Sequence, residues 1–118
     1  MNQTPLIEVS ALLEALQHFA DQRDWQRFHT ARNLMLALTG EVGELAEIFQ
    51  WQTDEQVLNM PVDDPARYQH LQEEVADVLL YLVRLAGVMK IDLDQAVRNK
   101  MEKNALKYPV PGTSLALK

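Results

Sequence analysis

Along this chain apolar residues recur every three or four positions, in long stretches separated by short polar or proline-bearing breaks, a pattern that marks amphipathic α-helices. In the first stretch Leu6, Val9, Leu12, Leu13, Leu16 and Phe19 keep this spacing, and Thr4 followed by Pro5 reads as an N-cap with a first-turn proline. The spacing predicts a helix over 5–23. Residues 24–30 lack a period but carry Trp25, Phe28 and His29, as a connecting loop with aromatic side chains to place. A second helix is predicted over 31–51, with Leu34, Leu38, Val42, Leu45, Ile48 and Phe49 on one arc. Thr53 with Gln56 resembles a capping box opening a short helix that Pro61 closes. Asp63-Asp64-Pro65 then opens a helix to about Met89, striped by Leu71, Val75, Val78, Leu82, Leu85 and Met89. After a turn over 87–90, Asp92 caps a last helix whose period is Leu93, Ala96, Val97, Met101 and Ala105. Pro109 and Pro111-Gly112 end it, leaving Thr113–Lys118 as a flexible tail. No strand or repeat competes with this reading. The expectation is a single all-α domain over 1–118, four-helix-bundle-like, with a tail after about residue 110.

Two helices break their own pattern with carboxylates. Glu41 falls inside the apolar arc of the second helix, and Glu44, one turn on, lies at its edge beside Trp51. Glu74 and Asp77, again three apart and so on one face, flank the stripe of the long helix with Tyr81. An ionised carboxylate on a buried face must be paired or metal-bound, because isolated burial costs many kcal/mol. If the two helices pack antiparallel, the four carboxylates converge, and oxygen-only ligands of this kind select Mg²⁺, or Mn²⁺, over zinc. Glu47 and Glu73 sit nearby in sequence but turn outward. Gly40 and Gly43 weaken the second helix by about 1 kcal/mol each relative to alanine, which suggests close approach of a neighbouring backbone or a ligand. The segment from Val75 to Met89 is apolar nearly all round, so its second covering surface is expected from another copy of the chain.

Composition narrows the function classes. With 118 residues, 47% of them hydrophobic, the chain holds one core and no second domain. It has no cysteine, which excludes a disulfide framework or thiolate metal site. No apolar run reaches membrane-spanning length and the N-terminus has no signal-peptide pattern, so a cytoplasmic protein without a membrane partner is expected. A net charge of −6 repels nucleic acid, and the four carboxylates named above account for most of it. His18, His29 and His70 are not spaced as in carboxylate-bridged di-iron bundles, where Glu-x-x-His recurs on two helices; Glu44 and Asp77 occupy those positions here. There is no phosphate-binding Gly-x-x-x-x-Gly-Lys loop, and no serine or cysteine is placed beside a base. Trp25, Trp51 and Tyr81 suit either a core or stacking on a planar ligand. Lys100 and Asn104, one turn apart on the last helix, are the candidates to approach a phosphate.

Three segments together carry a resemblance. Arg32-Asn-Leu through Gly40-Glu-Val-Gly-Glu-Leu-Ala-Glu-Ile-Phe-Gln-Trp51, then Glu73-Glu-Val-Ala-Asp-Val-Leu-Leu-Tyr-Leu-Val83, then Lys100-Met-Glu-Lys-Asn104 with Lys107-Tyr-Pro-Val110, are similar to the MazG-type all-α nucleoside triphosphate pyrophosphohydrolases. The likeness runs from about Leu12 to Val110. It implies a helical bundle assembled as dimers or a dimer of dimers, with Mg²⁺ held at the catalytic centre by Glu41, Glu44, Glu74 and Asp77. It also implies cleavage of a nucleoside triphosphate between the α- and β-phosphates to give a monophosphate and pyrophosphate, with dCTP or a related deoxynucleotide as substrate. By the same likeness Trp25, Trp51 and Tyr81 surround the nucleotide, and Lys100 and Asn104 approach its phosphates or sugar. Glu41 or Glu44 would orient the attacking water. One departure concerns base preference: Leu16 stands where relatives place a histidine, and His18 follows two residues later. A non-catalytic nucleotide-binding or structural helical oligomer is the alternative.

Overall fold

A computed structural model describes residues 4–112, so the expected tail at Thr113–Lys118 lies outside the described residues. The described residues form α1 (Ser10–Gln22), α2 (Ala31–Phe49), α3 (Asp54–Leu58), α4 (Met60–Asp63), α5 (Pro65–Val88) and α6 (Leu93–Lys107), with no strand among them. No helix among the described residues is long and apolar enough to cross a membrane.

Local chemistry sets most of these boundaries. Thr30 caps α2 by accepting from the Asn33 N–H, Asp64 caps α5 by accepting from the Arg67 N–H, and Asp92 caps α6 by accepting from the Gln95 N–H. The Thr53/Gln56 capping box is formed in both directions. Pro61 does not close α3, as expected; it sits in the first turn of α4, where a missing N–H is tolerated. α1 and α5 end alike. Asp24 and Lys90 adopt φ of 54° and 56°, and the Trp25 and Ile91 N–H groups reach back to the carbonyls of Ala20 and Ala86. This is the Schellman arrangement, with a non-glycine residue in the left-handed position.

The first helix starts later than its apolar period predicts. Leu6 and Ile7 donate their backbone N–H groups to Asp94 Oδ1 at 2.6 and 3.2 Å, and Arg98 donates to the Thr4 carbonyl. These long-range bonds tie the segment before Ser10 to the start of α6 as a non-helical strap, and Thr4–Pro5 caps nothing. No side chain caps α1.

α2 and α5 are antiparallel: His29 ahead of α2 meets Arg84, and the Ile48 carbonyl near its end meets Arg67. α1 runs against the far half of α5, where Gln17 bonds Arg84 and Leu13 faces Gly87. The core where these helices meet is Leu34, Leu38, Ile48, Met60, Val83 and Ala86, with Ala20 from α1. α6 stands off this cluster and buries no residue.

Several positions expected inside are open. Val42, Val75, Leu82 and Met89 are each about half exposed, because α5 turns Val83 and Ala86 toward α2 and α1 and leaves its other flank uncovered. Among the described residues the Gly40 and Gly43 faces meet nothing within 4 Å, so no neighbouring backbone there explains them. The close approach is instead at Gly87, where an added Cβ would lie 2.7 Å from Leu13 Cδ2. The radius of gyration is 18.4 Å, against about 13–14 Å for a compact chain of this length.

Candidate active site

The antiparallel crossing of α2 and α5 brings Glu41, Glu44 and Glu74 together, each offering a carboxylate oxygen within 4.8 Å of the others. Glu74 is buried and Glu41 half-buried, while Glu44 stands at the rim. One oxygen of each inner residue, Glu41 Oε2 and Glu74 Oε2, is buried without a hydrogen-bond partner among the described residues. Burial is the largest influence on Glu41, followed by the carboxyls of Glu74 and Glu44 and then the charge of Asp77; together they push its pKa up to about 7. A carboxyl held protonated in this way signals missing positive charge. The donor set, all carboxylate oxygen with two uncommitted buried atoms, fits a hard divalent cation such as Mg²⁺.

Asp77 is near enough to act on Glu41 but does not join the three-carboxylate cluster; it lies one turn further along α5, in the wall of a neighbouring cavity. That cavity, about 160 Å³, is lined by Leu16, Phe19, Trp25, Leu34, Leu80 and Tyr81, with Asp77, His29 and Arg84 as its polar members. Trp25 is fixed by the Schellman bond at the end of α1, and its ring stands edge-on to Phe19 with centroids 5.6 Å apart. Thus Trp25 and Tyr81, left open by the sequence between core and ligand contact, both face a cavity.

On the other side of the carboxylates is a wider opening of about 420 Å³, lined by Glu44, Glu47, Ile48, Arg67, His70 and Glu74. By sequence Arg67 goes unnamed, His70 is set aside as a ligand and Glu47 turns outward; Glu47 is exposed, and all three border this opening. His70 Nδ1 lies 4.0 Å from Glu74 Oε1. The usable signal was spacing, since His70 precedes Glu74 by four and shares its face. Arg67 is placed by the Asp64 cap, to which its Nε donates at 3.2 Å.

The structure does not bring the remaining candidates to this site within one chain. Trp51 is 88% exposed, and Lys100 and Asn104 lie on the exposed face of α6; none lines either cavity.

With this geometry in view, the MazG-like family model matches residues 37–116, which include all three clustered glutamates, and the chain belongs to that family. Among individual proteins it is similar to dCTP pyrophosphatase 1 of Bos taurus, 53% identical over 92 residues, covering 78% of this chain and 54% of the relative. The Homo sapiens protein of the same name is 53% identical over 91 residues, covering 77% and 53%. The chain therefore spans about half the length of the curated relatives it matches. A crystal structure of a pyrophosphatase from Archaeoglobus fulgidus superimposes with a TM-score of 0.77 at 37% identity, covering 93% of this chain and 100% of that one.

Proposed function

We propose that this chain hydrolyses a nucleoside triphosphate, with dCTP as the favoured substrate, between the α- and β-phosphates to a monophosphate and pyrophosphate in an Mg²⁺-dependent reaction. The observation that carries this reading is the partnerless buried oxygen on each of Glu41 and Glu74, in a cluster where these two residues and Glu44 each offer a carboxylate oxygen within 4.8 Å of the others. The similarity to dCTP pyrophosphatases supplies the substrate.

Glu41, Glu44 and Glu74 would hold the cation, with Asp77 at the border between cation and cavity; Mn²⁺ would suit the same oxygens. Bound there, the cation supplies positive charge against the phosphate oxygens and makes water a stronger nucleophile. Glu44 is the carboxylate best placed to orient that water, because it alone of the three is exposed at the rim. Arg67, across the wider opening, offers a guanidinium to phosphate oxygens that the acidic cluster alone would repel. The base enters the aromatic cavity between Trp25 and Tyr81, where a volume of about 160 Å³ admits a ring rather than a whole nucleotide.

Trp51, Lys100 and Asn104 act across an interface between copies of the chain. Supporting this are their exposure, the uncovered flank of α5 at Val75, Leu79, Leu82 and Met89, and the extended shape of the single chain. A homodimer or homotetramer covers that flank.

The test is a panel of ribo- and deoxynucleoside triphosphates incubated with Mg²⁺, with products separated by chromatography. Monophosphate with pyrophosphate is expected, fastest from dCTP. Diphosphate with orthophosphate would place the cut at the γ-phosphate, and binding without any product would leave a nucleotide-binding module in place of an enzyme.

A further inference from the structure

Arg84 is a buried cation with no anion beside it. It is 7% exposed, and no ion pair among the described residues includes it. Its two hydrogen bonds go to neutral acceptors: Nε donates to His29 Nδ1 at 3.1 Å and Nη1 to Gln17 Oε1 at 2.8 Å. Gln17 is itself oriented, because its Nε2 donates to Asp21 at 2.7 Å. Burial, and then the Arg84 charge, lowers the His29 pKa, and because Nδ1 accepts from Arg84 the ring carries its proton on Nε2. A guanidinium carries five donors in a planar fork. Two anchors fix that plane and leave the Nη2 edge without a partner among the described residues.

Arg84 lines the aromatic cavity on the same stripe of α5 as Asp77 and Tyr81. Seven residues separate it from Asp77, about 10 Å along the helix. A nucleotide with its phosphates at the carboxylates therefore points its base toward Arg84. A buried, unpaired charge is expensive to keep, and an apolar side chain of similar volume would be at least as stable there. The cation is better explained by what enters the cavity than by folding.

We propose that Arg84 determines base specificity: held by Gln17 and His29, it donates from its free edge to a base carrying two adjacent acceptors, as cytosine does at O2 and N3. Thymine and uracil interrupt that edge with an N3–H donor, and the small cavity disfavours purines. The inference rests on reading the cavity as the base site, and it adds the group that discriminates within it.

The test compares wild type with Arg84→Met, which keeps volume without donors, and Gln17→Met, which keeps Arg84 but removes one anchor at an exposed position. The readouts are kcat and KM for dCTP and dTTP, and calorimetric titration with deoxycytidine and thymidine, which lack phosphate and need no metal. Arg84→Met should raise KM for dCTP at least tenfold with kcat within twofold, and leave dTTP nearly unchanged. Gln17→Met should shift the dCTP:dTTP ratio in the same direction by less, and it carries the test if Arg84→Met does not fold. An unchanged ratio in the folded variants, or an equal loss on both substrates, overturns the proposal. If wild type hydrolyses no triphosphate, the proposed reaction fails and the nucleosides decide alone. Tight deoxycytidine binding lost in Arg84→Met upholds the role of Arg84, whereas equal affinity, or no deoxycytidine binding by wild type, overturns it.

Discussion

Glu74 and Arg84 are the two charged side chains that α5 buries, at 8% and 7% exposure. Around Glu74 the chain gathers more charge of the same sign, Glu41 and Glu44, and leaves two buried oxygens unsatisfied. Around Arg84 it supplies two neutral acceptors and an aromatic wall. One end of the helix is incomplete as a folded structure and asks for a cation from outside. The other is nearly complete, with one donor edge to spare. Both are buried charges beside openings, the kind of place where functional sites concentrate.

The largest expected effect breaks the carboxylate end. Glu74→Gln keeps size but removes a charge, and turnover of dCTP with Mg²⁺ should fall by at least about 100-fold, since even residues that only support metal ligands cost 10–100-fold. The same variant should be no less stable than wild type without metal, because it relieves repulsion; thermal melts with and without Mg²⁺ measure this.

The aromatics repeat the contrast. Trp25 is packed against Phe19 near Arg84, whereas Trp51, past the end of α2, stands 88% exposed. Trp51→Ala should raise KM roughly tenfold, as loss of a base or ribose stacking surface does. Stability of the isolated fold should change by less than about 0.5 kcal/mol. Steady-state kinetics beside denaturant melts separate the two.

pH sharpens the comparison further. Glu41 titrates near 4.5 when unfolded and about 7 when folded without metal. Between those values the folded state binds the extra proton, so this group's contribution to metal-free stability is full at low pH and is lost as pH rises through about 7. Saturating Mg²⁺ or Glu41→Gln should flatten that slope, seen in urea melts across pH 5–8.

The smallest effect lies past Arg84. Lys90 holds φ 56° at the end of α5, and Lys90→Gly should add about 0.5–1 kcal/mol of stability with activity unchanged.

What could be read from the sequence follows how local each feature is. Asp64, Thr53 and Asp92 declare their caps within three residues, Glu41 declares itself by falling inside an apolar arc, and Glu44 and Glu74 by standing at the edge of one. The start of α1 did not, because Asp94, far along the chain, holds Leu6 and Ile7 out of the helix. Arg84 carries no local signal within the apolar 75–89 segment, since its partners lie 55 and 67 residues away. Periodicity marks 75–89 as apolar nearly all round and as needing cover from another copy of the chain; within the single chain Val75, Leu79, Leu82 and Met89 stand about half exposed, and periodicity does not say what covers them. Asp77 shares its helix face with Glu74, yet one turn of rise carries it out of the cluster and into the cavity wall.

The central claim, that the α2–α5 crossing is a cation site, is tested most directly by calorimetric titration of Mg²⁺ into metal-free wild type and Glu41→Gln near pH 7. Wild type should bind with release of a fraction of a proton, seen as heat that depends on the buffer's ionisation enthalpy, because Glu41 is part-protonated there before the cation arrives. Glu41→Gln should bind at least tenfold more weakly, with no buffer dependence. Equal affinity in the two proteins would contradict the account.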